Sequence, residues 1–177
     1  MSIRGRSAVG VIGLLWGVVG IGLAAPPQPL AADRATLTML YGNVQVRHGG
    51  AEWYPARFGE ALAPGDGLKT GAKSRAELSL GKGNTVRLEQ KTEVQLVRLA
   101  GGGAARLKAL VGGLWVTLSK AFGAGGGMEV EMHGVVAATR STIFRCEAKE
   151  DGSSATAVYE GRVAVQGAQG EAVLVTP

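Results

Sequence analysis

The sequence predicts an all-β protein built from short strands joined by glycine-rich turns. Three observations predict it. Apolar residues alternate with polar ones along most of the chain after Leu37, the period-two pattern of strands with one face inward and one toward water. Glycine clusters punctuate these runs, from Pro64-Gly65-Asp66-Gly67 to Glu160-Gly161. The chain of 177 residues holds 29 glycines, more than twice the usual share of roughly 7%. With only 5% aromatic residues, the core is built from Val, Leu and Ala. The close spacing of strands from Ser74 to Leu118 favours a stacked, β-solenoid or β-roll-like winding, with a β-sandwich as the alternative.

The N-terminal segment follows different physics. Arg4 and Arg6 precede an uncharged run from Ala8 to Ala25, and Pro26-Pro27 ends it. Residues 1–25 read as a secretory signal peptide cleaved after Ala25, or less readily after Ala32. The competing reading is a retained inner-membrane anchor, since the run is close to the lower limit of about 17 residues for a span. In both cases the arginines hold the N-terminus in the cytoplasm and the body is exported. The expected location is periplasmic or secreted, with membrane contact only through this segment if it is uncleaved. No cysteine follows the apolar run, which excludes a lipoprotein anchor. Residues 26–36 read as an extended linker, and 37–177 as one β-domain.

Within the body, each strand is argued from its alternation. Val44 and Val46 alternate with Gln45 and Arg47. Ala76, Leu78 and Leu80 alternate with Glu77 and Ser79, and Val86 and Leu88 with Arg87 and Glu89. Val94 and Leu96 follow with Glu93 and Gln95. Leu114, Val116 and Leu118 alternate with Trp115 and Thr117, and Met128, Val130 and Met132 with Glu129 and Glu131. Val163 and Val165 close the series less cleanly. Gly81-Lys82-Gly83-Asn84, Gly101-Gly102-Gly103, Gly112-Gly113, Gly125-Gly126-Gly127 and Asp151-Gly152 are expected as turns between strands. Ala104–Leu110 is the one place where a helix competes, because Leu107 and Leu110 also fit a period of 3.6.

Catalytic and cofactor chemistry find no foothold. The single cysteine, Cys146, alternates with Phe144 and reads as a buried, inert thiol. His48 and His133 are far apart, carry no metal-ligand spacing and are expected to face solvent. No glycine run is followed by the Lys-Ser or Lys-Thr of a phosphate loop. Asp66 lacks the further oxygen ligands of a cation loop and is expected to cap its own turn. The net charge of +5 is scattered, as on a solvated surface, and points to no specific nucleic-acid partner. No enzyme activity, metal or cofactor is expected.

The motifs also have an order. Trp53-Tyr54-Pro55-Ala56 is followed by Leu62-Ala63-Pro64-Gly65-Asp66-Gly67-Leu68-Lys69-Thr70-Gly71 and Ser74-Arg75-Ala76-Glu77-Leu78. Gly113-Leu114-Trp115, Arg140-Ser141-Thr142-Ile143-Phe144 and Glu160-Gly161-Arg162-Val163 come next. In this order and spacing the chain resembles the FecR domain family of bacterial envelope proteins over about residues 40–166. Two turns depart from the family pattern: Ser141 stands where the motif has glycine, and Gly81-Lys82-Gly83-Asn84 replaces a turn usually written Asp-Gly-Ser. The resemblance implies that Gly65, Asp66, Thr70 and Gly161 hold the fold. It implies a non-enzymatic exported domain that binds or senses a protein or glycan in the cell envelope, or alternatively a structural or assembly subunit there. About seven residues precede the apolar run, so the family's cytoplasmic anti-sigma segment is not expected. The candidate partner-binding residues are Trp53 and Trp115, with platform chemistry for sugars or peptides, and the polar stretch Arg140, Ser141 and Thr142. Arg140 has two readings, contact with an anionic partner or pairing with a carboxylate such as Glu160.

Overall fold

The computed structural model describes residues 34–99, 104–119, 127–167, 170 and 172–177. The expected leader, all but the last three residues of the expected linker, and most of the glycine runs at 101–103 and 125–127 lie outside them. Among the described residues there are fifteen strands and no helix, so the protein is all-β.

The strands form one hydrogen-bonded network in which two ladders share a member. The first ladder runs β4 (Ala61–Leu62), β1 (Ala35–Tyr41), β6 (Arg75–Ser79), β7 (Thr85–Leu88), β9 (Ala105–Thr117), β12 (Ile143–Ala148) and β13 (Ser154–Glu160). The second runs β3 (Tyr54–Pro55), β2 (Val44–Arg47), β5 (Gly67–Thr70), β8 (Glu93–Arg98), β9, β10 (Met128–Met132), β11 (Val135–Thr139), β14 (Val163–Gln166) and β15 (Val173–Val175). Every pairing is antiparallel except β9 with β10, where Ala105 to Ala109 run parallel to Met128 to Met132.

β9 corrects two expectations. Its first half pairs with β8 and β10 in the second ladder, and its second half with β7 and β12 in the first. The helix option over Ala104–Leu110 fails because both edges of this stretch are paired. Ala105, Leu107 and Ala109 face inward while Arg106 and Lys108 stay half-exposed, which is period two rather than 3.6. Gly112-Gly113 is a bend inside one strand, not a turn between two. Gly112 has φ +92°, and a Cβ there would lie 2.7 Å from the Lys91 carbonyl, so the crossing requires glycine.

The alternation elsewhere puts its apolar residues inward as the sequence predicts. Leu37, Leu78, Leu88, Leu114 and Phe144 of the first ladder and Val46, Leu68, Leu96, Leu107 and Met132 of the second belong to one buried cluster. Each such side chain contributes about 1.5–3 kcal/mol by leaving water. The polar residues inside this shell are used as staples. The Asn84 side chain donates to the Gly81 carbonyl at 2.7 Å and accepts from the Ser119 amide at 2.8 Å, tying the turn before β7 to the end of β9.

Candidate binding groove on the outer face of the first ladder

Strand register assembles the outward face of the first ladder. Met39 lies opposite Glu77, Glu77 opposite Arg87, Arg87 opposite Trp115, Trp115 opposite Arg145, and Arg145 opposite Ala157. One row of side chains thus crosses six strands with Trp115 near its middle. Tyr159 of β13 stacks on Trp115 with ring centroids 4.7 Å apart and an interplanar angle of 25°, an offset geometry favoured by aromatic quadrupoles. On the other side of Trp115 lies a groove of about 1100 Å³, whose walls include Tyr41, Lys73, Arg75, Arg87 and Glu89. Its cations outnumber its carboxylate, so it combines an aromatic wall with a basic rim.

Glu89 organises this face. Its carboxylate accepts from Arg145 Nη2 at 2.7 Å, Arg145 Nε at 2.9 Å and Trp115 Nε1 at 2.9 Å. This bidentate fork fixes both the arginine and the indole plane. Hydrogen bonds from Arg145 hold the Glu89 carboxyl below its ordinary pKa against the opposing cost of burial, and the same bonds raise that of the Arg145 guanidinium. Gly113 leaves the room, since a Cβ there would meet the Glu89 carboxylate. Arg145 also donates to Glu147 at 3.0 Å, and Arg87 to Glu77 at 2.8 Å. The charges nearest Trp115 are therefore paired and oriented before any partner arrives.

The structure separates the candidate residues of the sequence. Trp115 lies on this face, but Trp53 is on the second ladder, with the Arg47 guanidinium 4.7 Å and the Lys69 ammonium 4.3 Å from its ring centroid. Arg140, Ser141 and Thr142 form the corner between β11 and β12. Thr142 is buried, its hydroxyl shares a short hydrogen bond with that of Thr139, and the Thr139 hydroxyl donates to the Arg162 carbonyl at 2.9 Å. Arg140 is exposed and makes no ion pair, with Glu160 or any other carboxylate, among the described residues. It lines a smaller hollow of about 420 Å³ together with Arg162 and Leu174.

The motif residues sit in turns and buried junctions. Asp66 caps its own turn as expected, accepting from the Ala63 amide at 2.8 Å, and it also accepts from the Gly49 amide at 3.1 Å. The same carboxylate lies 2.7 Å from His48 Nδ1, so His48 is half-exposed but held rather than free. Glu60 completes the corner, accepting from the Tyr54 hydroxyl at 2.7 Å, a bond that pushes the Tyr54 pKa up to about 12. Gly65 has φ +95° and donates to the Leu96 carbonyl at 2.7 Å. Buried Thr70 accepts from the Thr92 amide at 3.1 Å. Cys146 is buried and burial pushes its thiol up to about 12, so it is protonated and unreactive at neutral pH. Among the described residues no group of three His, Cys, Asp or Glu side chains is placed to hold a metal ion, and no helix is long and apolar enough to cross a membrane.

Sequence reasoning missed Glu89, Arg145 and Tyr159. The outward phase of Arg145 and Glu147 could be read from their alternation with Phe144 and Cys146. Their meeting with Glu89 depends on β7 and β12 flanking the same half of β9, which no local pattern encodes.

The geometry defines an all-β module that presents a preorganised aromatic and charged groove. Within that class the chain belongs to the FecR family: the family model described as FecR protein matches residues 66–164, more than half of the chain. Comparison with curated proteins and with solved structures returns no match. The FecR family is one of sensing and regulatory proteins associated with the cell envelope rather than of enzymes.

Proposed function

We propose that this chain is a non-enzymatic, exported recognition module of the bacterial cell envelope, and that it takes a protein or glycan partner in the groove beside Trp115. The carrying observation is the indole itself. Its plane is fixed by Glu89 on one edge and Tyr159 on one face, while the adjoining groove stays open to solvent. A rigid aromatic wall offers a flat apolar surface to a sugar ring or a peptide side chain at little entropic cost. The lysine and arginines of the rim add hydrogen-bond donors for hydroxyls, carbonyls and carboxylates.

The test compares the full chain with its Trp115→Ala variant, each checked for folding by circular dichroism. Both are exposed to solubilised envelope proteins and, separately, to insoluble cell-wall glycan. We expect the wild type to retain one of these, and the variant to bind it about tenfold more weakly, equivalent to about 1.4 kcal/mol. Equal retention by both chains would remove the groove from the reading. Retention of neither material by the wild type would remove recognition altogether.

A second reading, a structural or assembly subunit, is favoured by a different feature. β13 is seven residues long and pairs only with β12 among the described residues.

A further inference from the structure

We propose that β13 is the pairing edge between two copies of this chain, joined antiparallel about a two-fold axis at Ala157. The edges of the two ladders differ in length. The network has four terminal strands, and three of them are stubs: β3 and β4 have two residues each and β15 has three. Very short edge strands are one way in which proteins prevent unwanted pairing. β13 has seven residues, and no strand lies on its outer side among the described residues. Of the other protections it has one, a bulge near its C-terminal end, where the register with β12 shifts between the Phe144/Val158 and Ile143/Glu160 pairs and leaves Tyr159 without a partner. Ser154-Ala155-Thr156-Ala157-Val158-Tyr159-Glu160 contains no proline, lysine or arginine, and its pairing with β12 is regular from Val158 to Ser154.

The sequence of this edge fits a copy of itself. With Ala157 on the axis, Thr156 lies opposite Val158 of the second copy, Ala155 opposite Tyr159, and Ser154 opposite Glu160. The pairs from Thr156 to Val158 lie in the regular part of the strand, and the two outer pairs span the bulge at Tyr159. Large meets small at the outward pair, so each half-exposed Tyr159 ring covers an alanine across the junction. A β-branched pair fills the inward side. No like charges face each other, an arrangement that would oppose pairing. Moving the axis to Tyr159 would set two tyrosine rings against each other. Moving it to Ala155 would place Tyr159 against Asp151 in the turn and leave four residues of the strand, Ala157 to Glu160, without a strand partner. A foreign strand would need no such palindromic fit, whereas an isologous contact between identical subunits does. Because Tyr159 also stacks on Trp115, the dimer would carry both grooves on one continuous sheet face. A repetitive partner could then be bound at two points, with the gain in avidity that linked sites give.

Two measurements on the full chain test this. In the first, Ala157→Cys and Ser153→Cys are produced in a bacterial host and oxidised mildly; the native Cys146 is buried and does not compete. The axis position is expected to form a covalent dimer and the Ser153 position is not, because its twin lies across the whole length of the junction. In the second, the wild type is expected to sediment as a dimer and Ala157→Lys, which places two ammonium groups on the axis, as a monomer with unchanged circular dichroism. A monomeric wild type would overturn the proposal. So would equal crosslinking at both cysteines, a covalent adduct with a different protein, or a dimer that Ala157→Lys leaves intact. None of these outcomes touches the groove reading, which is tested by Trp115→Ala without reference to assembly.

Discussion

Gly161 has neither the backbone angle nor the space for another residue. Its φ is +86°, and a Cβ would lie 2.5 Å from Thr142 Cγ2 and 2.7 Å from the Ser141 carbonyl. The Glu160-Gly161 motif and the Arg140-Ser141-Thr142 motif are thus two sides of one contact. Ser141 itself has φ +51°, in the left-handed region that costs a non-glycine residue roughly 1–2 kcal/mol. It occupies the position where the family motif has glycine, so the departure seen in the sequence corresponds to a strained angle rather than a relaxed turn. Urea unfolding should separate the two sites. Gly161→Ala is expected to lose about 2–4 kcal/mol from angle and clash together. Ser141→Gly is expected to lose nothing and to gain up to about 1 kcal/mol, since relief of the angle outweighs the added freedom of the unfolded chain. A Ser141→Gly variant less stable than wild type would show that the serine side chain holds the corner. At this scale the sequence is informative about Asp66, whose bond to Ala63 is local. It marks Gly161 as a motif residue that holds the fold but not the contact it makes, because its neighbours Ser141 and Thr142 are brought to it only by the β12–β13 hairpin.

The strands that alternate cleanly, such as Ala76 and Leu78 in β6 or Met128, Val130 and Met132 in β10, are legible because one face is buried and the other wet. β13 is not, because an edge strand is partly exposed on both faces and its apolar contrast is weak. The parallel direction of β10 against β9 is not legible either, since alternation carries no pairing direction. β9 is the least legible element, because two adjacent glycines resemble a turn whether the chain reverses or merely bends. What decides between these is Thr92, buried beneath the bend. Its hydroxyl accepts from the Gly113 amide at 3.1 Å, and a Cβ on Gly112 would lie 2.5 Å from its Cα. Thr92→Val keeps the shape and removes the acceptor. Leaving the Gly113 amide without this partner should cost about 1–3 kcal/mol, read as a lower urea midpoint. Gly112→Ala should cost more, because it adds a backbone clash to an unfavourable angle. If Thr92→Val unfolds at the wild-type midpoint, the bend is held by ladder pairing alone and the staple is incidental.

For the whole molecule, the consequence of β9 is cooperativity. One strand is hydrogen-bonded into both ladders, and the inward residues of both belong to a single cluster. Neither ladder can leave without exposing the core face of the other, so intermediates with one ladder intact are costly and unfolding should be two-state. The tryptophans are placed to test this, since Trp53 reports from the second ladder and Trp115 from the first. Trp16, in the N-terminal segment, is replaced by Phe, and one further tryptophan is replaced in each of two variants. Replacing Trp53 removes its contacts with Arg47 and Lys69, worth about 0.5–1 kcal/mol at exposed sites, and replacing Trp115 removes the bond to Glu89. The two variants will therefore differ in stability from each other. The comparison that matters is made inside each one, between the midpoint of its remaining indole fluorescence and that of its far-ultraviolet circular dichroism. Coincidence in both variants is expected. A fluorescence midpoint displaced from the circular dichroism in either one would mean that a ladder opens by itself, and that β9 joins two units instead of running through one.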